Sequence, residues 1–244
     1  MEDIRIRRFS TLRIIEHWFH AIVFSVLVIT GLTQKFYYLD ISEYIIFHLG
    51  GIDYLRLIHR YTGLVFALMT FVHIFVALFG ILSGRWGVTM KIEPKDFRDL
   101  IQNIKYYLGM EQYPAPCDRY SYRQKFEYWG VLTSAFIMIG TGLMLWFPIF
   151  FTRFLPGEFI PASQVMHANQ GIVVFVIIAL WHVYNSIFNP NIFPIDKTIF
   201  TGYISRERML YEHPIELARM EGKELEEILR EQRDLQYERI LEES

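Results

Sequence analysis

The sequence predicts an all-α protein: an integral membrane four-helix bundle with both termini cytoplasmic, an amphipathic helix in the second loop and a charged helical C-terminal tail. Three observations predict it. First, 52% of the 244 residues are hydrophobic although Lys+Arg number 24 and Asp+Glu 26, so the two kinds must be segregated along the chain. Second, four runs carry no charge: residues 17–34, 61–84, 128–152 and 159–195, of 18, 24, 25 and 37 residues. A membrane-spanning helix needs about 20 apolar residues, so the chain can cross a bilayer four times. Third, the last 49 residues hold 21 of the charges. This pattern excludes an ordinary soluble enzyme, a disordered chain and a nucleic-acid binder with a basic face. The single cysteine, Cys117, excludes a disulfide framework, a cysteine zinc site and a Cys-x-x-Cys-His attachment.

The first run is a span and not a cleaved leader, because it lacks a small-residue cleavage site and is flanked by His, Trp and Glu. The runs are too long for strands and show no alternation, so they read as helices. The fourth run exceeds one span; Pro161 is expected to precede its helix and Asn189-Pro190 to end it. Gly31, Gly63, Gly140, Gly142 and Gly171 lie within spans, where small residues permit close approach. Lys and Arg number 20 in the N-terminal segment, second loop and tail, against 4 in the two remaining loops. That bias places both termini in the cytoplasm. In the second loop, Pro94 is expected to start a helix running to about Gly109, with Phe97, Leu100, Ile101, Ile104 and Leu108 on one face, on the membrane or beneath the bundle. The tail from Pro214 reads as a weakly amphipathic helix, solvated or docking, with Leu217, Met220, Leu225, Ile228 and Leu229 among charges and Gly222 against it. The expected division is 1–195, a transmembrane domain, and 196–244, a cytosolic tail.

The chemistry lies in the histidines. Of eight, His17 and His20 fall on the first span, His59 and His73 on the second, and His167 and His182 on the fourth, and the uncharged runs offer no Asp, Glu, Lys or Arg beside them. Ionisable side chains at membrane depth are costly and mark function. His59 and His73 are 14 residues apart, about −40° in direction and about 21 Å in rise. His167 and His182 are 15 apart, about +60° and about 22 Å. Each helix therefore carries one histidine near each membrane surface. Two facing imidazoles can ligate one haem iron, and two levels give two haems b. His59 with His167 is the natural outer pair. At the inner level His182 pairs with His17, His20 or His73, and spacing favours His73. Gly63 and Gly171 each follow an outer histidine by one turn, where a missing side chain admits a flat macrocycle. Arg56 and Arg60 flank His59 and are candidates to pair with propionates.

Several stretches carry a family resemblance: Arg13 to Trp18, Leu57 to Arg60, Tyr120 to Trp129, Met166-His167 and Trp181-His182. In these the chain resembles the di-haem cytochrome b subunits of membrane-bound formate dehydrogenases and nickel–iron hydrogenases, and within that group stand-alone bacterial members from clusters encoding other quinone-linked oxidoreductases. The resemblance covers residues 1 to about 200 and leaves the tail out. It implies His59 and His167 on the outer haem, and it implies His17, not His73, with His182 on the inner one. The fourth-helix histidines stand 15 residues apart, one more than in that subunit, which turns His182 on a regular helix. The resemblance also implies a quinone site near the start of the third span, at Ser121, Arg123 and Gln124, where Gln124 matches the family and Ser121 and Arg123 depart from it.

The function expected is electron transfer between a quinone pool (menaquinone or ubiquinone) and a partner, a catalytic, multihaem or iron–sulfur subunit docked on the outer side. The chain would be the electron-transfer and quinone-reactive subunit of an oxidoreductase in the cytoplasmic membrane of a bacterium or archaeon, in contact with lipid and not with nucleic acid. Two rivals are a stand-alone transmembrane ferric or ascorbate-type reductase and a histidine-based metal transporter, the latter needing carboxylates beside the histidines.

Overall fold

The structure is a computed structural model and describes residues 4–190 and 192–243. In chain order it runs β1 (Arg5–Arg7), α1 (Thr11–Lys35), α2 (Asp40–His48), α3 (Ile52–Leu82), α4 (Pro94–Tyr107), α5 (Tyr122–Trp146), α6 (Pro148–Phe151) and α7 (Phe159–Ile177). Two π-helical turns, Ile178–His182 and Tyr184–Phe188, continue α7. Then come α8 (Thr198–Thr201), β2 (Tyr203–Ser205), α9 (Arg206–Glu212), α10 (Pro214–Glu221) and α11 (Leu225–Glu243). The chain divides into two compact units, one of residues 11–86 and 130–196, the other of residues 1–10, 87–129 and 197–244.

Four helices are long and apolar enough to cross a membrane: Thr11–Lys35, Ile52–Leu82, Tyr122–Trp146 and Phe159–Phe188. The all-α membrane architecture expected from the uncharged runs is the one observed. In the first unit α1 packs against α3 and α7. Phe75, Leu82 and Leu180 remain exposed, as suits helices whose solvent is hydrocarbon. Pro161 lies inside the first turn of α7 and not before it. A proline is tolerated there because the first-turn N–H groups have no intrahelical acceptor. At the far end Asn189 leaves the helical region (φ −63°, ψ 125°), the extended backbone favoured just before a proline.

The second unit is a small folded body. The second-loop helix stops at Tyr107, two residues short of Gly109. Its start is fixed by a capping box in which the Asp96 carboxylate accepts the Glu93 N–H at 2.7 Å. Buried Asp96 also takes the Lys125 ammonium at 2.9 and 3.0 Å. Phe97, Ile101, Ile104 and Leu108 are exposed, and the Phe97 ring meets Phe126 edge-on at 5.7 Å.

The tail is not one solvated helix. Gly222, in the left-handed region at φ +64°, ends α10 and turns the chain into α11. Ile204, Met209, Leu210, Leu217, Ala218 and Ile228 form a buried core, with Ile6 and Leu235 against it. Ile6 arrives by antiparallel pairing of β1 with β2, Ile6 opposite Ile204. Arg206 joins α9 to α10 and α11 by donating to Glu221 and Glu231, each at 2.5 Å. Buried ion pairs tie the N-terminal strand, second loop and tail together. Arg8 donates to the Glu216 carboxylate and the Arg119 carbonyl. Arg119 donates to Glu216 at 2.6 Å and to the Arg8 carbonyl at 2.9 Å, and Arg219 donates to Asp118 at 2.7 Å.

Candidate haem-binding centre

Four of the histidines meet in two pairs. His59 of α3 and His167 of α7 have ring centres 6.1 Å apart with planes at 80°. His17 of α1 and His182, in the π-helical turn after α7, have ring centres 6.1 Å apart with planes at 35°. A metal–imidazole bond is about 2.0–2.1 Å and a ring centre lies about 1.1 Å behind its nitrogen, so rings on opposite sides of one metal have centres about 6.2 Å apart. Both pairs have the spacing that fits one metal between them. His59 and His167 stand near the starts of their helices, whereas His182 lies 15 residues beyond His167, so the pairs are about 20 Å apart along the bundle.

Two threonines define the chemistry of the first pair. The Thr30 hydroxyl lies 2.8 Å from His59 Nδ1, and the Thr141 hydroxyl lies 2.9 Å from His167 Nδ1. Each hydroxyl also donates to the carbonyl one turn back, Val26 at 2.7 Å and Ile137 at 2.6 Å. A hydroxyl has one proton, so with that proton on the carbonyl it accepts from the imidazole Nδ1–H. The opposite nitrogen, Nε2, then carries the lone pair a metal needs. The residues after the threonines leave room for the rings. A Cβ on Gly31 would come within 3.3 Å of His59 Cε1, and one on Gly142 within 3.3 Å of His167 Cε1. In the second pair, His17 Nδ1 is buried and has no hydrogen-bond partner among the described residues.

The π-helical turn bears on His182. The Val183 N–H reaches back five residues to the Ile178 carbonyl. A wider turn takes up one extra residue, and this one lies between His167 and His182. His73 is engaged elsewhere. Its Nδ1 is 2.5 Å from the Glu16 carboxylate, which also takes Arg13 at 2.8 Å. His20 packs edge-on to His73 at 6.5 Å and sits 2.8 Å from the Glu16 carbonyl. The uncharged run began at His17, but α1 begins at Thr11, so a carboxylate does lie beside a histidine in the first helix.

The remaining sequence candidates are placed as follows. Arg56 pairs with exposed Asp53 at 3.6 Å, and Arg60 is exposed beside His59. Gly63 and Gly171 face Leu27 at 4.0 Å and Met138 at 3.6 Å. Ser121 and Gln124 cap α5: the Gln124 carbonyl oxygen accepts the Ser121 N–H at 2.9 Å, and the Ser121 hydroxyl accepts the Gln124 N–H at 3.3 Å. The Arg123 guanidinium lies over the Tyr122 ring at 5.9 Å. No group of three or more His, Cys, Asp or Glu converges as a metal cage among the described residues; the histidines converge as pairs. Thr30 and Thr141 were missed by sequence reading. The available signal is a Thr-Gly step in the first and third spans, and it does not stand out, because the same step occurs at Thr62-Gly63 in the second.

The prokaryotic cytochrome b561 family matches residues 8–202, which include every paired histidine. The chain belongs to that family. Curated relatives agree. The cytochrome b556(Fdn) subunit of the nitrate-inducible formate dehydrogenase of Escherichia coli K12 is 23% identical over 198 residues, 81% of this chain and 83% of that one. The cytochrome b556 subunit of a formate dehydrogenase of Haemophilus influenzae is 26% identical over 185 residues, 73% and 72% of the two chains. As a cytochrome b561-family protein with four apolar helices, the chain is a multi-pass membrane cytochrome b that binds haem b and transfers electrons.

Proposed function

We propose that this cytochrome b holds two haems b, one between His59 and His167 and the other between His17 and His182, and passes electrons between a quinone pool and a partner oxidoreductase or multihaem subunit. The observation that carries the reading is the recurrence of one ring-centre spacing, 6.1 Å, in two histidine pairs at different depths, which share the fourth span and take their second member from α3 in one case and α1 in the other. Bound haem supplies reversible one-electron transfer at an iron between two axial imidazoles. The chain supplies the rest. Imidazoles are presented from the helices, the spans around them are apolar, and a helical rise sets the distance between the two levels.

Family resemblance and relatives that are subunits of formate dehydrogenases support a catalytic partner. The 20-to-4 distribution of Lys and Arg supports cytoplasmic termini. On that orientation the His59–His167 level is the outer one, where the partner docks, and the His17–His182 level faces the cytoplasm. The quinone, menaquinone or ubiquinone, binds at the start of α5, by Ser121, Arg123 and Gln124. Arg56 and Arg60 meet the outer propionates, and Gly63 and Gly171 border the macrocycle.

The test is a reduced-minus-oxidised visible spectrum of the purified protein with haem quantitation. Two haems b per chain are expected, falling to one in His59→Ala and one in His182→Ala. A single haem in the wild type, or two in either variant, refutes the assignment. A quinone analogue is expected to shift the midpoint potential of the inner haem alone.

A further inference from the structure

We propose that Thr30 and Thr141 are a matched pair of positioning residues that fix the protonation and the ring plane of the outer ligands. The proposal rests on the reading of His59 and His167 as ligands of one haem.

The two threonines do the same work from opposite sides. Thr30 on α1 reaches across to His59 on α3, and Thr141 on α5 reaches across to His167 on α7. Both are buried, at 3% and 7% exposure. Each hydroxyl is held by its own helix through the carbonyl four residues back, so its lone pair points to the neighbouring helix. In an apolar bundle a hydroxyl without such a partner is costly, and this arrangement satisfies hydroxyl and imidazole together.

The consequences for the ligand are chemical. An Nδ1–H held by an oxygen acceptor keeps the proton off Nε2 and makes the imidazole a stronger donor to a metal. The acceptor direction also sets the rotation of the ring, and the glycine after each threonine leaves the edge of that ring unobstructed. Neither feature is shared by His17, whose Nδ1 lacks a hydrogen-bond partner among the described residues. The Thr30 and Thr141 contacts therefore give the outer ligands a fixed plane and a lowered potential.

The test compares Thr30→Val and Thr141→Val with Thr30→Ser and Thr141→Ser in the full chain, purified with its haem. Valine keeps the branched shape and removes the acceptor; serine keeps the acceptor. The valine variants are expected to weaken outer-haem retention by about 10–100-fold, to raise the potential of whatever remains and to change its low-spin EPR signal. The inner haem, unchanged in the same samples, reports that the bundle has folded. The serine variants are expected to restore the potential and the signal. Valine variants with the outer potential, retention and EPR signal of the wild type overturn the proposal. His59→Ala separates the two levels of inference. If it loses one haem while the valine variants behave as wild type, only the positioning role falls. If it keeps both haems, the ligand assignment falls and the positioning role with it.

Discussion

An axial imidazole is defined by where its ring stands and which way its plane faces, and at the residue scale the two pairs differ in the second property. The His59 and His167 rings are crossed at 80° and the His17 and His182 rings at 35°. Crossed ligand planes leave the iron d orbitals nearly degenerate, whereas near-parallel planes split them. The outer haem is expected to give a highly anisotropic low-spin EPR signal and the inner one a rhombic signal; two identical signals would contradict the geometry. The inner ligand is a second matter for single residues. His73 bonds Glu16 and His17 faces His182, so His17→Ala is expected to lose one haem and His73→Ala to keep both, read by haem quantitation. Spacing alone favoured His73, because angle and rise describe one helix and not what the neighbouring helix offers. Glu16, the residue just before the uncharged run, bonds His73 and is what the spacing argument leaves out. Thr30 and Thr141 were illegible for a related reason. A single hydroxyl in an apolar helix has no period, and its meaning lies in a nitrogen on another helix.

At the element scale, charge-free runs locate helices well and say little about their internal regularity. All four spans were legible, because hydrocarbon demands an unbroken backbone hydrogen-bond ladder over a fixed length. The π-helical turn over Ile178–His182 was not legible as such. It showed only as a histidine spacing of 15 residues. Each residue turns a side chain by about 100° on a regular helix, so one residue too many would carry His182 off the inner face. If the wide turn holds that residue, deleting Ala179 is expected to leave regular helix with His182 still facing His17, and both haems bound. Inserting one alanine after Ala179 has no such slack and is expected to lose the inner haem. Haem quantitation of the two variants decides it, and loss on deletion would show that the wide turn is needed for itself. The start of α5 carries the opposite lesson. The stretch from Ser121 to Gln124 was read for a ligand and is also a helix cap. Ser121→Ala is expected to cost about 1 kcal/mol of stability, measured as a lower melting temperature, whatever its effect on quinone.

At the scale of the whole molecule, the averages of 52% hydrophobic and net charge −2 describe neither unit. The charged tail was legible as charged and illegible as folded, because its core residues from Ile204 to Ile228 are sealed by Ile6 from the other end of the chain. That unit is held by charges sensitive to pH, and His213 is one of the groups whose pKa folding shifts. Burial, reinforced by the Arg8 guanidinium, lowers its pKa from 6.5 to about 4. Its Nδ1 donates to the Asp118 carbonyl at 2.8 Å and its Nε2 accepts from Arg8 at 3.2 Å. Cys117, 3.7 Å from Nδ1, is a neutral thiol with its pKa pushed up to about 12 by burial. A histidine that is neutral when folded and ionisable when unfolded binds more protons in the unfolded state between those two pKa values. Stability rises with pH wherever that holds. The contribution of His213 is therefore complete above about pH 6.5 and is lost as pH falls toward 4, a change of about 3 kcal/mol. Glu221, held at about 2 by Arg206, and Glu231, lowered by the same guanidinium, lose their contributions only at lower pH. Hydrogen exchange of residues 203–235 in detergent is expected to accelerate between pH 6.5 and 4.5 after correction for intrinsic rates, while the paired helices α3 and α7 stay protected. His213→Gln, which cannot gain a proton, is expected to flatten that dependence. An unchanged pH profile in the variant would assign the acid sensitivity to the carboxylates instead.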